Sequence, residues 1–145
     1  MPQKTLEIIE VSSPLKRAFA ISRGAKTSAE TIQVTIREGE AAGRGECVPY
    51  PRYGETIGGV YAAVEAMRGR IEAGLGREDL QTQMPAGAAR CALDCALWDL
   101  EAKQTGTPVW QLAGLPPPRP VETAITVSMD SPQAMAEAAK TIHGQ

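Results

Sequence analysis

The hydrophobic period lengthens near Glu55 from that of strands to that of helices, and that change restricts the folds open to this chain. In Thr31-Ile32-Gln33-Val34-Thr35-Ile36-Arg37 apolar residues alternate in twos, which places Ile32, Val34 and Ile36 on one face of a strand. Glu38-Gly39-Glu40 then supplies a turn. Ala41 to Cys47 returns as a Gly-rich strand, giving an antiparallel hairpin with one buried face. Thr5 to Val11 also alternates, is rich in branched residues, and predicts a further strand. From Glu55 the period lengthens: Ile57, Val60, Tyr61, Val64, Met67 and Ile71 recur at helical spacing, and Gly74 offers a stop.

Two more helical segments follow. Arg77 to Met84 predicts a short helix ended by Pro85. Ala88 to Lys103 carries the strongest helical pattern, with Ala89, Leu93, Ala96, Leu97 and Leu100 as its apolar stripe. Ala88, Ala92 and Ala96 permit close approach of another element, and Gly106 punctuates the end. Asp94 and Trp98 lie four apart on this helix and read as packing of this region against a following barrel rather than as a ligand site.

Gly114-Leu115-Pro116-Pro117-Pro118-Arg119-Pro120 is the one clear linker, because consecutive prolines lack amide donors and fix φ. Beyond it, Val121 to Ser128 predicts a strand. Ser131 suits an N-cap, Pro132 a first helical position, and Met135, Ala138, Ala139 and Ile142 continue a helix. A lone β/α unit cannot bury both of its faces. This order fits, as one architecture among several, an α+β capping domain with its linker over 1–118 and the first β/α unit of an incomplete TIM-like barrel over 119–145, the division that the resemblance given below implies.

Length and charge narrow the functional classes. The 145 residues suffice for one core but fall far short of the ~250 typical of a complete β/α barrel. A net charge of −2 with no basic run excludes a general nucleic-acid binder. The apolar runs are too short for a membrane-spanning helix. Cys47, Cys91 and Cys95 follow no signal peptide, which predicts a reducing, cytoplasmic setting. Cys91 and Cys95 are four apart and would share one helix face, a possible metal pair, but no further Cys or His partner lies nearby, so small buried thiols are expected rather than metal ligands.

Four segments carry a family resemblance. They are Phe19-Ala20-Ile21-Ser22-Arg23-Gly24; Gly45-Glu46-Cys47-Val48-Pro49-Tyr50-Pro51-Arg52-Tyr53-Gly54-Glu55; Pro85 to Leu100; and Thr123-Ala124-Ile125-Thr126-Val127-Ser128. In this order and spacing they resemble the N-terminal part of dipeptide epimerases of the enolase superfamily, within its muconate-lactonizing subgroup. Those enzymes act on L-Ala-D/L-Glu dipeptides.

The resemblance implies a site and a reaction. The loop from Leu15 to Ser28, with Lys16, Arg17, Arg23 and Lys26, would fold over the barrel mouth, where a cation meets a substrate carboxylate. Arg23 is the first candidate, since a planar guanidinium can grip a carboxylate through two bonds, and Lys26 is the second. The loop from Val48 to Glu55 would form the other half of the lid, with Tyr50 and Tyr53 excluding water. Thr126 would approach the substrate from the end of the first barrel strand. Glu46 and Glu55 are not the acid and base, because the family's bases are lysines on later strands. Glu46 is read as a structural hydrogen-bonding residue.

The implied reaction is a 1,1-proton transfer beside a carboxylate in murein peptide metabolism and peptidoglycan recycling, with L-Ala-L-Glu or L-Ala-D-Glu as substrate. Mg²⁺ and the catalytic residues are expected beyond Gln145, which leaves this chain alone inactive. A homo-oligomer is compatible with the pattern. Two alternatives stay open: a cycloisomerase or o-succinylbenzoate-synthase-like member, and a non-catalytic binding or oligomerisation module.

Overall fold

The computed structural model describes residues 3–22 and 24–142. Three strands, β1 (Thr5–Ile21), β2 (Gly24–Glu38) and β3 (Ala41–Cys47), form one sheet in the order β1-β2-β3. β2 and β3 are antiparallel, with Ile32 opposite Cys47, Val34 opposite Gly45 and Ile36 opposite Gly43. The alternation read from the sequence is realised, since Ile32, Val34 and Ile36 are 0%, 1% and 0% exposed. β1 and β2 are longer than expected. Most of Leu15–Ser28, read as a loop, instead forms the distal ends of these two strands.

The helices are α1 (Ile57–Glu65), α2 (Arg68–Glu72), α3 (Arg77–Gln83), α4 (Ala88–Thr105) and α5 (Val109–Leu112). The single run expected from Glu55 to Ile71 is split at 66–67 into α1 and α2, yet Val60, Val64, Met67 and Ile71 all remain buried. Thr56 starts α1 by accepting a hydrogen bond at Oγ1 from the Gly59 amide at 3.1 Å.

The stripe of small residues on α4 does what its spacing implies. A Cβ on Gly43 would lie 2.0 Å from the Ala96 carbonyl oxygen, and one on Gly45 would lie 1.9 Å from that of Ala92. Backbone of β3 and backbone of α4 are thus in direct contact, and Leu93, Leu97 and Leu100 fill the space alongside. Asp94 and Trp98 meet α3 within the first half of the chain, a contact different from the packing against a barrel expected for them. Gln81 Nε2 donates to Asp94 Oδ1 at 2.8 Å. The Arg77 guanidinium stands 3.8 Å above the Trp98 ring and is paired with Glu101 at 2.7 Å.

The chain divides into two compact units, Met1–Val11 with Glu30–Pro118, and Ser12–Ala29 with Arg119–Gln145. In the second unit the Ala20 amide donates to Ser128 Oγ at 2.8 Å, and the Met129 amide donates to the Ala20 carbonyl at 2.8 Å. These bonds give the outer end of β1 tertiary partners, which supports its persistence as a strand. The expected helix is α6 (Pro132–Ile142), and Ser131 caps it by accepting from the Ala134 amide at 3.2 Å. The strand expected over 121–128 does not form, and those residues join no sheet. A barrel strand is held by neighbours on both edges, and the described residues supply none.

One further correction concerns the thiols. Cys47 is buried, but Cys91 and Cys95 are exposed on α4, because the buried side of that helix is already occupied by its Ala/Leu stripe. Among the described residues no helix is long and apolar enough to cross a membrane.

Candidate functional site

The loop between β3 and α1 is stiffened by its own covalent geometry. Pro49 and Pro51 fix φ, and a 3₁₀ turn over Pro51–Tyr53 follows. The Tyr53 amide donates to the Tyr50 carbonyl at 2.9 Å, and the Gly54 amide donates to that of Pro51 at 3.0 Å. Gly54 closes the turn at φ +75°, a left-handed conformation suited to glycine. The Tyr50 and Tyr53 rings are 5.8 Å apart at a tilt of 46°. Tyr53 is 76% exposed.

Glu55 ties this loop to the helical layer. Its Oε2 accepts from the Tyr50 amide at 3.0 Å and its Oε1 from the Ala88 amide at 2.7 Å. Ala88 opens α4, whose N-cap Gly87 has no side chain to offer, so Glu55 caps the helix from a distance. The two N–H groups, that of Ala88 foremost, hold the Glu55 carboxyl below the usual carboxylate range. Sequence reasoning considered Glu55 only as an acid/base candidate. Its partner Ala88 lies 33 residues away, beyond the reach of any local pattern.

Beside the loop opens a concavity of about 900 Å³, lined by Thr31, Cys47, Val48, Tyr50, Tyr53 and Cys91 among others. Thr31 is 8% exposed, and its hydroxyl has no hydrogen-bond partner among the described residues. The Cys47 thiol is pushed up to about 11 by burial, with Cys91 and Glu55 adding to the effect. Glu46, also on the rim, accepts from Gln33 Nε2 at 3.3 Å, the structural role expected for it.

The remaining candidates fall elsewhere. Arg23 lies outside the described residues. Lys26 is exposed on β2, and Thr126 is exposed within 121–128; both belong to the second unit. That unit joins the end of β1 to Ser128, two residues after Thr126. Tyr50 and Tyr53 belong to the first unit. Among the described residues no group of three or more His, Cys, Asp or Glu is arranged to hold a metal ion.

A three-stranded antiparallel sheet covered by helices, with an aromatic loop fastened to the longest helix, defines a capping domain of the enolase type. The chain belongs to the mandelate racemase / muconate lactonizing enzyme family, whose N-terminal domain matches residues 3–114. It is 43% identical over 139 residues to the L-Ala-D/L-Glu epimerase of Escherichia coli (strain K12), covering 96% of this chain and 43% of that protein. An enolase family member from Agrobacterium tumefaciens, with homology to dipeptide epimerases and bound sodium and L-Ala-L-Glu, is 47% identical. It superposes with a TM-score of 0.92 over 97% of this chain and 43% of its own. A dipeptide epimerase from Enterococcus faecalis V583, complexed with Mg and L-Leu-L-Tyr, is 29% identical. Its TM-score is 0.84 over 99% of this chain and 43% of its own. The chain thus spans less than half the length of these relatives.

Proposed function

We propose that this chain is the N-terminal portion of a Mg²⁺-dependent dipeptide epimerase that inverts the glutamate α-carbon of L-Ala-D/L-Glu peptides in murein peptide metabolism. The observation that carries this reading is the 43% identity to an L-Ala-D/L-Glu epimerase over 139 residues, 96% of this chain. Residues 1–118 form the cap and linker, and 119–145 open the barrel.

The chain's contribution is binding and enclosure. Inversion removes a weakly acidic proton from one face of a carbon beside a carboxylate and returns one to the other face. A cover that excludes water from the bound dipeptide strengthens its polar contacts and so favours binding. Tyr50 and Tyr53, on a loop with few conformations, form part of the cover. Arg23, with Lys26 as the second cation, holds a substrate carboxylate, and Thr126 contacts the substrate. The metal would stabilise the charge that develops on the carboxylate. No step through it is assigned to the residues of this chain.

The test is α-proton exchange. The longer protein containing this segment is incubated with L-Ala-L-Glu in deuterated water and followed by NMR. Deuterium incorporation with conversion to L-Ala-D-Glu is expected. Arg23→Ala should lower kcat/KM by the equivalent of roughly 2–5 kcal/mol if the pair is desolvated. No exchange by the longer protein would sink the reading. An unchanged Arg23→Ala enzyme would move the cation role to Lys26.

A further inference from the structure

We infer that Glu55 is a positioning residue, which sets the place of the Tyr50–Tyr53 loop by fastening it to the first turn of α4 through two backbone amides. The internal hydrogen bonds of Tyr53 and Gly54 shape the loop but do not anchor it, since both end on Tyr50 and Pro51 within the loop itself. The Glu55 carboxylate reaches both ways. One oxygen returns to the Tyr50 amide five residues back, and the other holds the Ala88 amide 33 residues ahead.

Chemistry favours a carboxylate at this place. Two N–H donors converge on it, and it offers an acceptor oxygen to each. The α4 N-terminus carries unsatisfied amides and partial positive charge over an 18-residue helix, so a negative group is stabilised there. A glutamine has one acceptor oxygen and would turn its NH₂ toward the second N–H. An aspartate keeps the charge but is one methylene short of spanning Tyr50 and Ala88 together. The ranking Glu above Asp and Gln, and these above Ala, follows from the two-bond geometry. A residue that merely fills space would not produce it.

The consequence for catalysis rests on the epimerase reading. A loop released from α4 covers the ligand less of the time, which weakens binding more than it slows proton transfer at a site the loop does not supply. Loss of the Glu55 bonds should therefore raise KM and leave kcat nearly unchanged.

Two measurements test this. In the present chain, amide hydrogen exchange is followed by NMR at Tyr50 and Ala88, with the Leu93 and Leu97 amides inside α4 as internal references. Glu55→Ala should speed exchange at Tyr50 and Ala88 by about tenfold or more and leave the references unmoved. Glu55→Gln should free one of the two amides, and it serves alone if the alanine variant does not fold. In the longer protein, Glu55→Ala should raise KM for L-Ala-L-Glu by about tenfold, with part of the loss restored by Glu55→Asp. Unchanged exchange at Tyr50 and Ala88 overturns the inference, as does a defect confined to kcat. Absence of turnover in the wild-type longer protein would defeat the epimerase reading, while amide exchange would still decide the role of Glu55.

Discussion

Gly45 of β3 lies against Ala92 of α4 so closely that a Cβ on the glycine would sit 1.9 Å from the Ala92 carbonyl oxygen. The relation repeats one pleat along, where Gly43 meets Ala96 at 2.0 Å. Two residues in a strand and four in a helix advance the chain by similar distances, about 6–7 Å and about 6 Å, so the two rows stay in step. Strand glycines are entropically unfavourable, and their presence here is explained by contact rather than by bending. The same contact sets the position of the α4 N-terminus, and with it the amide that Glu55 holds.

Gly45→Ala is accordingly expected to destabilise the fold strongly. The blocking atom is backbone, so relief requires sliding α4 off the sheet, and overpacking of this kind costs about 1–3 kcal/mol or more. Gly69→Ala, on α2 with nothing within 4 Å of the added Cβ, is the control and should be neutral or stabilising by about 0.5–1 kcal/mol. Urea denaturation of both variants checks the pair. Equal midpoints would show that α4 yields easily.

Thiol labelling should separate the three cysteines. Cys47 is buried with its thiol pushed up to about 11, while Cys91 and Cys95 are exposed on α4. The thiolate is the reacting form, so Cys47 is both shielded and poorly ionised. Treating the native chain with iodoacetamide near neutral pH and mapping the products by mass spectrometry should find the α4 cysteines modified and Cys47 spared until urea is added. Early modification of Cys47 would mean that the sheet edge by the concavity opens readily.

What could be read from the sequence was what local periodicity encodes. Ile32, Val34 and Ile36 announced a buried face, Ala41–Cys47 a strand, and Ala88–Lys103 a helix able to approach closely; all three are present. The segment from Leu15 to Ser28 was misread because its charges and Gly24 resemble a loop. Its strand character is supported by bonds from Ala20 to Ser128 and Met129, more than a hundred residues away. The reverse error fell on Val121–Ser128, where a strand-like pattern has no neighbour to pair with. The tie from Glu55 to Ala88 was invisible for the same reason as the Ala20 bonds: the partners are set by packing, not by spacing.

The Glu55 tie should also leave a signature in acid. Its carboxyl is held below the usual range by the Ala88 and Tyr50 amides, so the folded state binds the proton less readily than the unfolded chain. The stabilisation is therefore present above the ordinary carboxylate pKa and is lost as pH falls through the lower folded value. The Cys47 thiol faces the same group but is neutral throughout that range. Asp99 is lowered too; burial pulls it upward, but Lys103 and the Arg44 amide outweigh that, and its contribution is common to both proteins compared. Stability of wild type minus Glu55→Gln, measured by urea unfolding, should be positive near neutrality and shrink toward zero in strong acid. A difference independent of pH would show that the charge is immaterial.

Catalysis by the present chain alone is not expected. Proton exchange at an α-carbon beside a carboxylate needs a base close to that proton and strong stabilisation of the charge that follows. Among the described residues no cluster of His, Cys, Asp and Glu could hold a metal ion. Three of the acidic groups are instead committed to structure: Glu55 to two amides, Glu101 to Arg77, and Asp99 to Lys103 and the Arg44 amide. The exposed lysine on α6, Lys140, is paired with Glu137 at 2.8 Å on the same helix. Purified chain mixed with Mg²⁺ and L-Ala-L-Glu in deuterated water should show no α-proton loss above a metal-only control. The longer protein under the same conditions should exchange readily. Exchange by the short chain would reveal a base within it, and alanine substitution of Lys26, Lys16 and Lys140 in turn would locate the group.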